Sequence, residues 1–104
     1  MPWDPRIARL LQRYPALRAV GDTPLVPVPV FREELPEVEV FAKMESLNPG
    51  GSLKDRPVVR MLLGALADGR LAPGKTVLDS SSGNAGIAYA MVGRLIGHPV
   101  EIVV

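Results

Sequence analysis

Apolar residues recur along the chain at spacings that change character near residue 45. Ile7, Leu10, Leu11 and Tyr14 fall at helical intervals, which predicts a helix with Asp4 as N-cap, Pro5 at its first position and Pro15 closing it. Gly21–Asp22–Thr23–Pro24 reads as a turn. Leu25 to Val30 is β-prone, but Pro27 and Pro29 remove ladder donors, so an edge or irregular extended strand is expected. From Glu37 to Met44 polar and apolar residues alternate, with Val38, Val40, Ala42 and Met44 on one face, the pattern of a half-exposed strand.

Asn48–Pro49–Gly50–Gly51 can continue neither a strand nor a helix. Val59, Leu62, Leu63 and Leu66 then form the stripe of a second helix. Ser52 is placed to cap it, with Asp55 completing a capping-box-like exchange and Gly69 ending it. Pro57 sits near its first turn, where a missing N–H is tolerated. The turn Ala72–Pro73–Gly74 leads to a strand over Thr76 to Asp79, and Ser80 to Gly83 is a loop of small residues. Asn84 to Ile96 is apolar nearly all round, which predicts a buried helix where Gly86 and Gly93 permit close approach. Gly97–His98–Pro99 breaks it before a last strand, Val100 to Val104.

Strand, helix, strand, helix, strand from residue 37 onward predicts an α/β protein built of parallel βαβ units. Residues 1–36 then form an N-terminal helix and extended segment, and residues 37–104 the βαβ core. A parallel sheet is normally covered by helices on both faces. That needs more chain than 104 residues, so a fragment or truncated product of a larger α/β protein is expected, with an intact small domain as the alternative.

Composition narrows the function classes. Twelve Lys and Arg against eleven Asp and Glu leave a net charge of +1, so no electrostatic case exists for nucleic acid or an anionic membrane. Arg94 and Gly97–His98–Pro99 interrupt the longest apolar run below the ~18 residues a membrane span needs. No secretory core is evident near Asp4, Pro5, Arg6 and Arg9, and a cytoplasmic protein is expected. There are no cysteines, which removes disulfides, thiolate metal sites and a catalytic thiol.

Two constellations carry candidate chemistry. Lys54 falls in the first turn expected for the second helix, where the macrodipole disfavours a cation. An amine held there beside a glycine-rich loop suits a nucleophile, although a solvated surface lysine fits the segment too. Ser80–Ser81–Ser82–Gly83–Asn84–Ala85–Gly86 lies between a strand and a helix, and its hydroxyls, amide and backbone N–H groups can hold an anion. An ordinary capped turn is the alternative. The spacing matches neither a dinucleotide fingerprint nor a phosphate-binding loop with its lysine. His98 has no second ligand, Trp3 and Phe31 are expected to fill gaps in packing, and Glu33, Glu34, Glu37 and Glu39 read as a solvated acidic face. Arg6, Arg9 and Arg13, near one helical face, are expected to meet solvent.

Taken in order, Gly21–Asp22–Thr23–Pro24–Leu25, the stretch Lys43 to Leu62 (KMESLNPGGSLKDRPVVRML), Asp68 to Pro73 and Ser80 to Ala90 (SSSGNAGIAYA) resemble the N-terminal part of the cysteine synthase and cystathionine β-synthase family. These are fold-type II pyridoxal-phosphate enzymes. The resemblance spans about residues 18–104, and its serine-rich block is shared with threonine synthases and dehydratases. It implies that Lys54 forms the covalent link to pyridoxal 5'-phosphate and later removes the substrate α-proton. It implies that Asn84 contacts the ring hydroxyl oxygen of the cofactor, and that Ser81, Ser82, Gly83, Asn84 and Ala85 grip the carboxylate of an amino-acid substrate. The reaction implied is β-replacement on an activated serine such as O-acetylserine, with sulfide or a thiol as the incoming group. A homodimer or a complementing chain are the macromolecular partners it allows. The resemblance makes the chain the N-terminal, truncated portion of a two-domain enzyme. The alternatives are a non-catalytic relative that keeps the βαβ core as a binding or assembly module, and a threonine synthase- or dehydratase-type pyridoxal-phosphate enzyme.

Two departures stand out. Ala85 replaces the family's usual threonine and loses a hydroxyl, whereas Ser81 replaces threonine and keeps one. The family's glycine- and threonine-rich phosphate cup lies downstream of all these motifs, and Gly50–Gly51 is already committed to the loop before Lys54. Residues 1–104 alone are therefore expected to hold the cofactor poorly and to be inactive.

Overall fold

Caps and prolines set the first helix. In the structure, a computed structural model that describes residues 3–104, Asp4 Oδ1 accepts the Arg6 N–H at 2.8 Å. Pro5 opens α1 (Pro5–Arg13), where its missing N–H costs nothing. Pro15 then turns the chain into a short 3₁₀ segment, Pro15–Ala19. Ile7, Leu11 and Leu17 are buried along this stretch.

The strands pair differently from the expected continuous parallel sheet. β1 (Leu25–Val28) and β2 (Val40–Lys43) form an antiparallel pair, with Leu25 opposite Lys43 and Val28 opposite Val40. Residues 29–39 are too short a link for the crossover that parallel pairing needs, but ample for a hairpin. Pro27 is accommodated because a two-stranded sheet leaves one edge of β1 free. Glu37 to Glu39 remain in the loop, so β2 starts later than the alternation suggests. Parallel pairing is confined to β3 (Val77–Ser80) and β4 (Val100–Val103), with Val77 opposite Val100. α3 (Asn84–Ile96) connects those two strands and makes the one βαβ unit present among the described residues.

α2 (Asp55–Ala67) packs against α3 and α1. Its predicted stripe is inside: Val59, Leu62 and Leu63 are buried, joined by Val58, and Leu66 is partly buried. Ala88, Tyr89, Val92 and Ile96 of α3 complete this core with Val77. α3 is not buried all round, however, since Ile87 and Leu95 are exposed. Its close approach is real at Gly93, where any Cβ would overlap Val100 Cγ2 and lie 3.2 Å from the His98 carbonyl oxygen. At Gly86 a Cβ would sit 3.4 Å from Ser81 Oγ, an ordinary contact. Gly93→Ala is therefore expected to cost about 1–3 kcal/mol in denaturant unfolding through overpacking. Gly86→Ala should cost far less, offset by its better helix propensity.

The chain exposes more than a self-contained domain would. Its accessible surface is 7121 Å² for 11.2 kDa, against roughly 5700 Å² for a globule of that mass. Its radius of gyration is 16.9 Å, where ~13 Å is usual for about 100 residues. Leu25, Phe41, Leu78 and Val103 are among the exposed apolar side chains. Phe31, expected to fill a gap, is instead exposed in a left-handed turn at φ +56°. Trp3 also lies at the surface, beneath the Arg60 guanidinium at 5.9 Å. No helix among the described residues is long and apolar enough to cross a membrane.

Candidate active site

The loop before α2 is folded by its own polar side chains. α2 begins at Asp55, so Lys54 is its N-cap residue rather than part of its first turn. Ser52 does not cap the helix: its Oγ accepts the Lys54 N–H at 3.2 Å. Nor does Asp55 return to Ser52 as a capping box would require; it accepts the Gly50 N–H instead. The Gly50–Gly51 turn brings that donor directly over Asp55, so the shorter carboxyl side chain meets it first. Asp55 is fully buried, whereas Lys54 is exposed, and among the described residues its amine takes part in no ion pair.

Around this loop lies a polar network that ties three motif segments together. Asn48, 3% exposed, accepts the Gly21 N–H at 2.7 Å and donates to the carbonyls of Glu45 and Ser52, each at 3.0 Å. It donates to the Glu45 carboxyl as well. Arg56 Nε donates to both Glu45 oxygens at 2.9 and 3.1 Å, and its Nη2 donates to Thr23 Oγ1 at 3.2 Å. The Arg56 hydrogen bonds hold the Glu45 carboxyl below its ordinary range; partial burial opposes them, and Asn48 and Thr23 add to them. Gly21 has φ +87°, and a Cβ there would come within 3.0 Å of Arg56 Nη1. Asn48, Glu45 and Arg56 are thus scaffold, whereas Lys54 faces solvent with no hydrogen-bond partner for its amine among the described residues.

The serine-rich loop is organised from inside. Ser81 N–H donates to the Val103 carbonyl at 3.0 Å, which fixes the loop to the end of β4. Ser81 Oγ accepts the N–H groups of Gly83 and Gly86 at 3.2 and 2.9 Å. Ser82, Gly83 and Asn84 are exposed, and Ala85 is half-buried. The N–H groups of Asn84 and Ala85, at the start of α3, have no hydrogen-bond partner among the described residues. They present positive dipoles to any anion that enters. Beneath the loop, burial and then the neighbouring Asp79 push the Tyr89 phenol up to about 12. The Tyr89 hydroxyl and the Ser80 N–H hold Asp79 below its usual range in turn. No hydrogen bond joins Lys54 to this loop among the described residues.

The remaining candidates stay peripheral. His98 Nδ1 lies 2.8 Å from the Lys75 carbonyl oxygen, a turn-stabilising contact. Arg6 pairs with Asp4 and Asp68, and Arg13 lies over the Tyr14 ring. Sequence reasoning passed over Asn48, Arg56 and Tyr89, and gave Asp55 only a capping role. An asparagine and an ionisable pair flanking a Pro-Gly-Gly turn are the signal that buried polar structure was needed there.

Residues 16–104 match the family described as pyridoxal-phosphate dependent enzyme, and the chain belongs to it. Within that family it is 56% identical over 88 residues to a cysteine synthase of Aquifex aeolicus, covering 83% of this chain and 27% of that protein. It is 49% identical over 78 residues to an N-(2-amino-2-carboxyethyl)-L-glutamate synthase of Ralstonia nicotianae, covering 75% of this chain and 23% of the other. The crystal structure of cysteine synthase from Entamoeba histolytica superposes with a TM-score of 0.76 at 37% identity, over 84% of this chain and 27% of that one. An O-acetylserine dependent cystathionine beta-synthase from Helicobacter pylori gives 0.75 at 30% identity, over 86% and 29%. The chain thus spans about a quarter of the length of the curated relatives it matches.

The donor set fits the family's cofactor in part. A primary amine on a fixed backbone can bond an aldehyde, and an exposed amide beside free N–H groups can meet polar and anionic atoms. The glycines before Lys54 offer no phosphate cradle, because Gly50 N–H is taken by Asp55 and Gly51 N–H by the Asn48 carbonyl at 2.8 Å.

Proposed function

We propose that this chain carries the attachment lysine and the substrate-carboxylate loop of a cysteine synthase-like β-replacement enzyme acting on an activated serine. The observation that carries the reading is the contrast around Lys54: Ser52, Asp55 and Arg56 turn their side chains back onto the scaffold, whereas the Lys54 amine is exposed with no hydrogen-bond or ion-pair partner among the described residues. Pyridoxal phosphate, when bound, supplies the electron sink that lets an amino acid lose its α-proton. Lys54 would hold it covalently through Nζ and would be the base that takes that proton.

The loop residues have separate tasks in this reading. Asn84 and Ala85 offer main-chain N–H groups to the substrate carboxylate, joined by the Ser82 hydroxyl. Ala85 adds no hydroxyl of its own, so the carboxylate relies on backbone donors there. Ser81 keeps the loop in shape from below. The Asn84 side chain contacts the cofactor ring oxygen. Relatives that make an O-ureido-L-serine or an N-substituted glutamate support β-replacement as the reaction class and differ in the incoming nucleophile.

The full natural chain should turn yellow with pyridoxal phosphate and convert O-acetylserine and sulfide to cysteine. Absence of both would refute the reading. Asn84→Ala is expected to shift the absorbance of the bound cofactor without releasing it. An unchanged spectrum would remove Asn84 from the ring.

A further inference from the structure

Asp55 is fully buried, and burying a carboxyl group is unfavourable unless its oxygens are hydrogen-bonded. Oδ2 accepts the Gly50 N–H, but Oδ1 has no hydrogen-bond partner among the described residues. That oxygen lies directly against Gly50, where any Cβ would overlap it. The carboxyl group is the floor of the turn that precedes Lys54, and only glycine leaves room for it. The next residue, Arg56, reaches back in the same sense to Glu45 and Thr23. Two consecutive side chains after Lys54 therefore grip segments before it, while Ser52 Oγ holds the Lys54 N–H. The backbone at Lys54 is pinned from both directions.

We propose that Asp55 is a positioning residue for Lys54: by seating the Gly50 turn, its carboxyl group fixes the direction in which the lysine amine leaves the fold. This rests on Lys54 being the attachment lysine and adds the residue that aims it. A surface lysine with no reacting partner would need no such fixture, and an orphaned buried oxygen is a costly way to build an ordinary turn.

The test uses the full natural chain with Asp55→Ala, Asp55→Asn and Gly50→Ala. Without cofactor, amide exchange at Gly50 and Lys54 should accelerate about tenfold in Asp55→Ala, the scale of one lost hydrogen bond. With pyridoxal phosphate, Asp55→Ala and Gly50→Ala should slow the borohydride-trapped attachment at Lys54 about ten- to a hundredfold, as misplacement of a reacting group by about 1 Å does. The same two variants should flatten the circular dichroism of the bound cofactor. Asp55→Asn keeps the shape and an acceptor for Gly50 N–H, so it should restore both signals. Parent-like trapping and dichroism in Asp55→Ala would overturn the proposal. So would an Asp55→Asn variant that restores Gly50 exchange yet traps as slowly as the alanine variant, since charge rather than placement would then be at work. Should Asp55→Ala fail to fold, Gly50→Ala and Asp55→Asn decide the matter. If the parent itself traps no adduct at Lys54, the functional reading fails and the proposal with it, while the exchange data still report the turn.

Discussion

Lys54→Ala in the full natural chain is expected to abolish the borohydride-stable adduct with pyridoxal phosphate and to lower turnover by on the order of 10²–10⁴-fold, the usual contribution of a positioned general base. The loss should be larger than for any other substitution in the loop, because the proposed function makes Lys54 anchor and base together. Lys54→Arg separates two explanations. It keeps a cation at the start of α2 but lacks a nucleophilic primary amine. If charge alone mattered, the arginine variant would retain much of the activity. Mass spectrometry of a digest after reduction gives the decisive readout, because it places the label on a residue. A reduced adduct elsewhere in the parent would show that Lys54 is an ordinary surface lysine.

The largest effect on stability is expected at Leu63. Its side chain is completely buried at the centre of the α1–α2–α3 packing. Leu63→Ala removes that apolar volume from a site closed on all sides, which costs about 3–5 kcal/mol where the surroundings cannot relax. For a chain of this size each 1 kcal/mol lowers the melting temperature by roughly 4–8 °C. Met61, two residues away, is 49% exposed, and Met61→Ala should stay within about 0.5 kcal/mol. Thermal unfolding of the pair compares burial at constant helix position. Equal losses would contradict the packing described above.

The local elements were legible because their causes are local. Asp4 and Pro5 start α1, the Val59–Leu62–Leu63 stripe sets the buried face of α2, and Gly97 ends α3 in a left-handed cap at φ +78°. Strand pairing was not, because residues 25–28 and 40–43 each look like strands but do not name their partners. The short link between them decides for a hairpin, and the edge strand expected around Pro27 is the one that receives β2. The exposed face of α3 was missed for a related reason: Ile87 and Leu95 are apolar, and periodicity cannot reveal that an apolar position is left uncovered.

The site was legible in its residues but not in its division of labour. Lys54 and the serine-rich loop stand out in the sequence, yet Ser81 and Asp55 turn inward and Asn48 and Arg56 hold the frame. A hydroxyl or carboxyl group in a motif reads the same whether it meets a ligand or the backbone. Only burial separates the two.

Ser81 has one more consequence, and it concerns the thermodynamics of ligand capture. With its oxygen already bonded to two amides of the loop, the curvature that exposes Asn84 and Ala85 exists before any anion arrives. Binding then need not freeze a floppy segment, a saving of about 1–2 kcal/mol for each residue that would otherwise become ordered on contact. On the proposed reading, a carboxylate would meet a receptor shaped in advance, so weak individual contacts to main-chain amides would suffice where a mobile loop would demand stronger ones.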